Sequence, residues 1–148
     1  MYLLDTNIVS TLDPRRADRF DALVRGIDRN GAALHLSVLT LMEMHAGALK
    51  LRREGKDKRA GQIGALIAAI RERFESRILP IDTKVSLRAS ELAERALPNR
   101  IDLIDLLIAA TADMHGLIVL THNLRHFAPM GVRAIDPLVA LPEDLRAP

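Results

Sequence analysis

Short apolar runs alternate along the chain with longer stretches in which apolar positions return every three or four residues. The first run, Tyr2-Leu3-Leu4, reads as a short, fully buried strand of the kind found in the middle of a parallel sheet. It stops at Asp5. Thr6 and Asn7 are good N-caps before the apolar Ile8-Val9, which predicts helix over residues 7–30, broken early by Pro14. Asn30-Gly31 signals a turn, and Leu34-His35-Leu36 a brief strand. Ser37 caps a long helix over residues 38–53, with Leu39, Met42, Ala46 and Leu49 read as its apolar face. The charged stretch 50–59, with Gly55 in its middle, predicts the exposed turn of a helical hairpin. Its second arm runs through Ile63, Leu66, Ile67 and Ile70 to Phe74. Residues 77–81 predict another short buried strand, after which Asp82 or Thr83 caps a helix to about Leu97. Pro98-Asn99 breaks the chain. Residues 102–115 form the most regular helical pattern of all, closed by Gly116. A strong strand over 117–120 ends at Thr121; a helical turn over 124–127 and a last strand over 133–135 follow.

Strands alternating with helices predict an α/β fold: a central, mostly parallel sheet of four to five short strands flanked by helices. At 148 residues the chain is read as one domain, with a tail after about Pro137 that is partly loose. Aromatics are scarce, so the core must be Leu, Ile, Val and Ala. The absence of cysteine excludes disulfides and thiolate chemistry and fits a reducing cytoplasm. No signal peptide is expected, because Asp5 interrupts the early apolar run, and no apolar stretch is long enough to span a membrane. A net charge of +2, from 21 basic and 19 acidic side chains, permits a nucleic-acid partner without demanding one.

Chemistry enters at a few polar positions in apolar surroundings. Asp5 ends the first strand, the edge at which open α/β sheets bind ligands. Glu43 sits within Leu41-Met42-Glu43-Met44. Asp105 lies in a run of leucines, isoleucines and alanines, and Asn123 follows Thr121 just after a strand. On a helical wheel Leu103, Leu106, Leu107, Ala110 and Met114 form one apolar stripe, and Ile104, Ile108 and Ala112 a second sector. Asp102 and Asp113 take the solvent wedge. Asp105 falls beside small alanines, partly buried, where a carboxylate needs a partner. The competing reading makes Asp102 the N-cap and Asp105 the residue that bonds back to it. Carboxylates from three separate elements, if they converge, repel one another until protons or a cation neutralise them. Oxygen ligands without cysteine select a hard divalent ion, Mg²⁺ or Mn²⁺, which points to metal-assisted phosphodiester hydrolysis.

Other signals are weaker. His122 and His126 have the i, i+4 spacing of helical zinc ligands, but no H-E-x-x-H pattern accompanies them. His35, His45 and His115 read as structural or surface residues. Arg15, Arg16 and Arg19 are better candidates for phosphate contact than the 50–59 charge run, which reads as a solvated tip.

The stretches "LLDTN", "LSVLTLMEMHAGA", "RILPID", "DLLIAATADMHGL" and "VLTHNLRHF" resemble, in this order, the PIN-domain ribonucleases, and within them the VapC toxins of type II toxin–antitoxin pairs. The resemblance implies a Rossmann-like PIN domain with Mg²⁺- or Mn²⁺-dependent endoribonuclease activity, cutting RNA with metal-activated water. It implies a cognate VapB-type antitoxin, frequent homodimerisation and a higher assembly with the antitoxin. Asp5, Glu43 and Asp105 match the family's principal acids, with Asp5 and Asp105 binding metal most directly and Glu43 directly or through water. Thr6 and Thr121 match supporting hydroxyls. Asn123 matches the family's fourth acidic position; an amide adds no charge there, so a second ion has less to hold it. His126 falls where many relatives have Asp and is given no catalytic role.

Two other classes compete. A phosphatase of the haloacid dehalogenase kind also starts with Asp at a strand end, but needs a second Asp where this chain has Asn7. A silent binding domain would account for Asn123, and a PIN nuclease outside any toxin–antitoxin pair would keep the chemistry without the partner.

Overall fold

The structure, a computed structural model, describes residues 1–15 and 20–146. Arg16 and Arg19 lie outside the described residues. Five strands form one sheet: β1 (Tyr2–Leu4), β2 (Leu34–Ser37), β3 (Ile78–Leu79), β4 (Ile118–Leu120) and β5 (Ala134–Ile135). Their spatial order is β3-β2-β1-β4-β5, and every pairing is parallel. β1 is therefore central, with Leu3 opposite His35 on one side and Val119 on the other. A strand buried on both faces reads as an unbroken apolar run, and Tyr2, Leu3 and Leu4 are all buried.

The chain winds from β1 outward through β2 to β3, then returns across β1 to β4 and β5. The crevice where the winding reverses lies between the carboxyl ends of β1 and β4, the place at which such sheets accept ligands. Asp5 and Thr121 sit at those two ends, and the Asp5 N–H bonds to the Leu120 carbonyl at 3.0 Å.

Helices cover both faces. α1 (Thr6–Val9) continues into a 3₁₀ turn over Ser10–Leu12 where a longer helix was expected, and α2 (Asp21–Arg29) follows the undescribed residues. α3 (Val38–Arg53) and α4 (Asp57–Phe74) form the expected hairpin, turning at Gly55 with φ 72°. Ser37 caps α3 by accepting from the Leu39 N–H. The predicted face of α3 is corrected: Thr40, Met44 and Ala48 point inward, while Met42 is 50% exposed and Leu49 also faces out. The rotation of α3 that carries Glu43 to Thr6 leaves Met42 outside.

α5 (Thr83–Ala96) is capped by Asp82, whose carboxylate accepts from the Val85 N–H. α6 (Leu103–Met114) ends as expected before Gly116, at φ 64°. Its predicted stripe is also corrected. Leu103 is 65% exposed and Met114 faces solvent, whereas Ile108 through Ala112 are buried on every side, because α6 lies between α5 and the sheet. β3 is a two-residue, half-buried edge strand, since it pairs with β2 alone.

Two clusters make the core. One centres on Leu3, Leu92, Ile108 and Val119, the other on Leu4, Ile8, Leu36 and Phe74. The stretch after Pro137, expected to be partly loose, packs back on the second cluster. Leu145 is fully buried, and the Tyr2 hydroxyl donates to Asp144 at 2.7 Å. α2 admits this segment through Gly26, where an added Cβ would lie 2.5 Å from the Leu145 carbonyl oxygen. No helix of the described residues is long and apolar enough to cross a membrane.

Candidate active site

Asp5 is only 4% exposed and is held by three donors. The Thr6 N–H, the Asn7 amide Nδ2 and the Thr121 hydroxyl each lie 2.7 Å from one of its oxygens. Asp5 thus also caps α1, and capping and site geometry coexist on one carboxylate. Asn7 ties the two strand ends together. Its Nδ2 also reaches Thr121 Oγ1 at 3.1 Å, and its Oδ1 accepts from the His122 N–H at 3.2 Å. Thr121 Oγ1 in turn accepts from the Asn123 N–H at 3.0 Å.

Glu43 reaches the same crevice from α3. Its Oε2 accepts a hydrogen bond from the Thr6 hydroxyl, so Thr6 touches two of the acids, Asp5 through its N–H and Glu43 through its side chain. Asp105 arrives from the first turn of α6. It does not bond back to the cap; Asp102 alone caps the helix, accepting from the Ile104 N–H at 2.9 Å. Asp105 Oδ2 instead lies 2.7 Å from Nδ1 of His126, on α7 (Leu124–Phe127). An ionised carboxylate only accepts, which places a ring proton on Nδ1 and turns Nε2 away from Asp105.

The electrostatics show that the acids share one neighbourhood. Burial pushes the Asp5 carboxyl above the usual carboxylate range, and the charge of Asp105 pushes it further, against the pull of its three donors. Glu43 is raised by burial first, then by the charges of Asp5, Asp105 and Asp102, with the Thr6 hydroxyl opposing.

The donor chemistry fits a hard divalent cation: all-oxygen, buried at one end, with two members held above their ordinary pKa first by burial and then by neighbouring carboxylate charge. As they stand, no three acidic or imidazole side chains among the described residues are gathered tightly enough to enclose an ion. Asp105 is turned to His126.

Residues 2–131 match the PIN domain family. The chain belongs to the PIN-domain family. It is similar to the VapC ribonuclease Y4jK of Sinorhizobium fredii, 32% identical over 93% of this chain and 97% of that protein. It is similar to the toxin FitB of Neisseria gonorrhoeae, 31% identical over 93% of this chain and 98% of that one. Among solved structures, FitAcB from Neisseria gonorrhoeae superimposes with a TM-score of 0.76 at 29% identity, over 93% of this chain and 99% of that chain.

In this PIN domain Thr6 touches both Asp5 and Glu43, Thr121 touches Asp5, and the charge of Asp105 acts on both other acids. Asn123, matched to the fourth acidic position, contributes a backbone N–H to Thr121 and starts α7 without a side-chain cap. The two candidate zinc histidines part company. α7 begins after His122, whose Nδ1 lies 2.9 Å from Asp136, while His126 turns to Asp105. Sequence reasoning gave no site role to Asn7 or His126, while Asp102 is the N-cap it offered. Asn7 carried a signal, since an amide in the first helical turn after a strand can reach back to the strand end. The Asp105–His126 contact carried none, because it depends on where α7 lands.

Proposed function

We propose that this PIN domain is a Mg²⁺- or Mn²⁺-dependent endoribonuclease, the toxin of a VapBC-type toxin–antitoxin pair. The observation that carries the reading is the electrostatic convergence of Asp5, Glu43 and Asp105 at the carboxyl ends of β1 and β4. Those three acids would hold the ion, Glu43 directly or through water. When bound, the cation would supply Lewis acidity, lowering the pKa of water and offsetting negative charge on a phosphodiester.

The chain's own residues do the rest. Thr121 and Asn7 fix the orientation of Asp5, and Thr6 fixes Glu43. Asn123 adds no charge, which favours one ion over two. Asp5 is only 4% exposed, and the low dielectric around it strengthens its interaction with any charge in front of it. The antitoxin partner and a toxin homodimer are what the resemblance to the VapC toxins implies.

The test is cleavage of total cellular RNA by the purified protein freed of antitoxin, with Mg²⁺, Mn²⁺ or EDTA, beside Asp5→Asn. Discrete fragments that require metal and vanish in the variant are expected. Intact RNA with folded protein in all metal conditions would overturn the reading and favour a silent binding domain. A short reading frame beside this one, whose product binds this chain and stops cleavage, is expected for the toxin role.

A further inference from the structure

We propose that the cleft on the outer side of Asp105 seats a backbone phosphate of the RNA strand next to the one cut, gripped by Arg100 and Arg125. This rests on the nuclease reading above and adds to it a substrate-holding subsite. The cleft measures about 340 Å³ and lies between the loop before α6 and α7. Arg100, from the loop before α6, and Arg125, from α7, both line it together with Asp105 and His126.

Both arginines are exposed, and neither makes a hydrogen bond or ion pair among the described residues. Arg25, Arg59, Arg73 and Arg88 pair with Asp21, Asp13, Asp28 and Asp113, whereas Arg52, Arg53, Arg71 and Arg133 are as unpaired as these two but do not line this cleft. The acids lining this cleft are already engaged, Asp102 with the Ile104 N–H and Asp105 with His126. Two free guanidinium forks therefore face a cavity that opens beside the acid cluster. A guanidinium matches the oxygens of a phosphate two at a time. Ile101 and Pro129 give the cleft an apolar wall, which a ribose or base attached to that phosphate would cover and an acidic peptide would leave bare. A nucleotide thus uses both features of the cleft.

The experiment compares the wild type, Arg100→Gln/Arg125→Gln, and a control with the same loss of charge at exposed residues outside the cleft, Arg29→Gln/Lys84→Gln. The probes are a fluorescein-labelled, mixed-sequence single-stranded RNA of twenty nucleotides and an oligoglutamate peptide, titrated in EDTA over a salt series. Cleavage of the same RNA is followed with Mn²⁺. The cleft variant is expected to bind RNA about tenfold more weakly, as for loss of charge-assisted hydrogen bonds. Its plot of log affinity against log salt should be shallower by about 0.7, the slope of one single-strand phosphate contact. Its KM should rise with kcat little changed, and the control should stay near the wild type. RNA affinity equal in all three proteins, or lost equally in the cleft variant and the control, overturns the proposal. So does a loss confined to the peptide, which would make the cleft a site for acidic peptides. If the wild type binds RNA through these arginines but cuts nothing, the subsite stands and the nuclease reading falls. If it cuts and the cleft variant is unaltered in binding and KM, the reverse holds.

Discussion

At Asp5 three donors meet one buried carboxylate, and one of them, the Thr121 hydroxyl, also accepts from the Asn7 amide and the Asn123 N–H. Replacing Thr121 by the isosteric Val removes a hydrogen bond from Asp5, Asn7 and Asn123 at once and leaves the Asn123 N–H without its partner. Thr121→Val is therefore expected to cost about 1–3 kcal/mol in urea unfolding, whereas Thr121→Ser keeps the oxygen and most of the stability. Glu43 behaves in the opposite way. Its pKa is raised in the folded state, so the unfolded chain gives up this proton first as pH rises. Its contribution to stability is thus present below the ordinary carboxylate pKa and lost as pH climbs through the raised folded value. Glu43→Gln, which keeps an acceptor for Thr6, is expected to raise Tm at pH 7 by about 2–4 °C for each kcal/mol relieved, with no gain at pH 3. A Tm difference that is the same at both pH values would show that neither burial nor neighbouring charge raises the Glu43 carboxyl in the folded chain. The same raised values predict that metal-dependent activity falls on acidification before ordinary carboxylates protonate, because a cation needs the ionised acids.

At the scale of elements, what the sequence made legible followed from local signals. Caps at Ser37, Asp82 and Asp102, and glycines at 55 and 116, bound the long helices where the structure has them. Failures came where two faces of a helix are both apolar. In α3 and α6 the rotation is set by tertiary contacts, Thr6 on Glu43 and α5 on α6, which periodicity does not encode. The docking of the C-terminal stretch was equally hidden, since it rests on the missing side chain of Gly26. That yields a paired prediction. Gly26→Ala, although alanine is the better helix former, is expected to cost about 1–3 kcal/mol by forcing Leu145 off α2. Gly64→Ala in α4, with open space around its Cβ, is expected to stabilise by about 0.5–1 kcal/mol. Urea denaturation of the two variants checks both signs.

At the scale of the whole molecule, strand order turns separate residues into a site. Because β1 lies between β2 and β4, the segments that follow these three strands emerge at one edge, bringing Glu43 and Thr121 to Asp5. The three acids could be picked out singly from their apolar surroundings, but their electrostatic proximity is a property of the winding. The arginines of the adjoining cleft were not singled out at all, because nothing local distinguishes an unpaired arginine from a paired one. The account stands or falls on the acids acting as one cation site. The most direct measurement is a calorimetric titration of Mn²⁺ at pH 7 into the wild type, Asp5→Asn and Asp105→Asn. Saturable binding to the wild type, weakened at least about tenfold in each variant, is the predicted result. Binding that survives both substitutions undiminished, or a folded wild type that takes up no Mn²⁺, would contradict it.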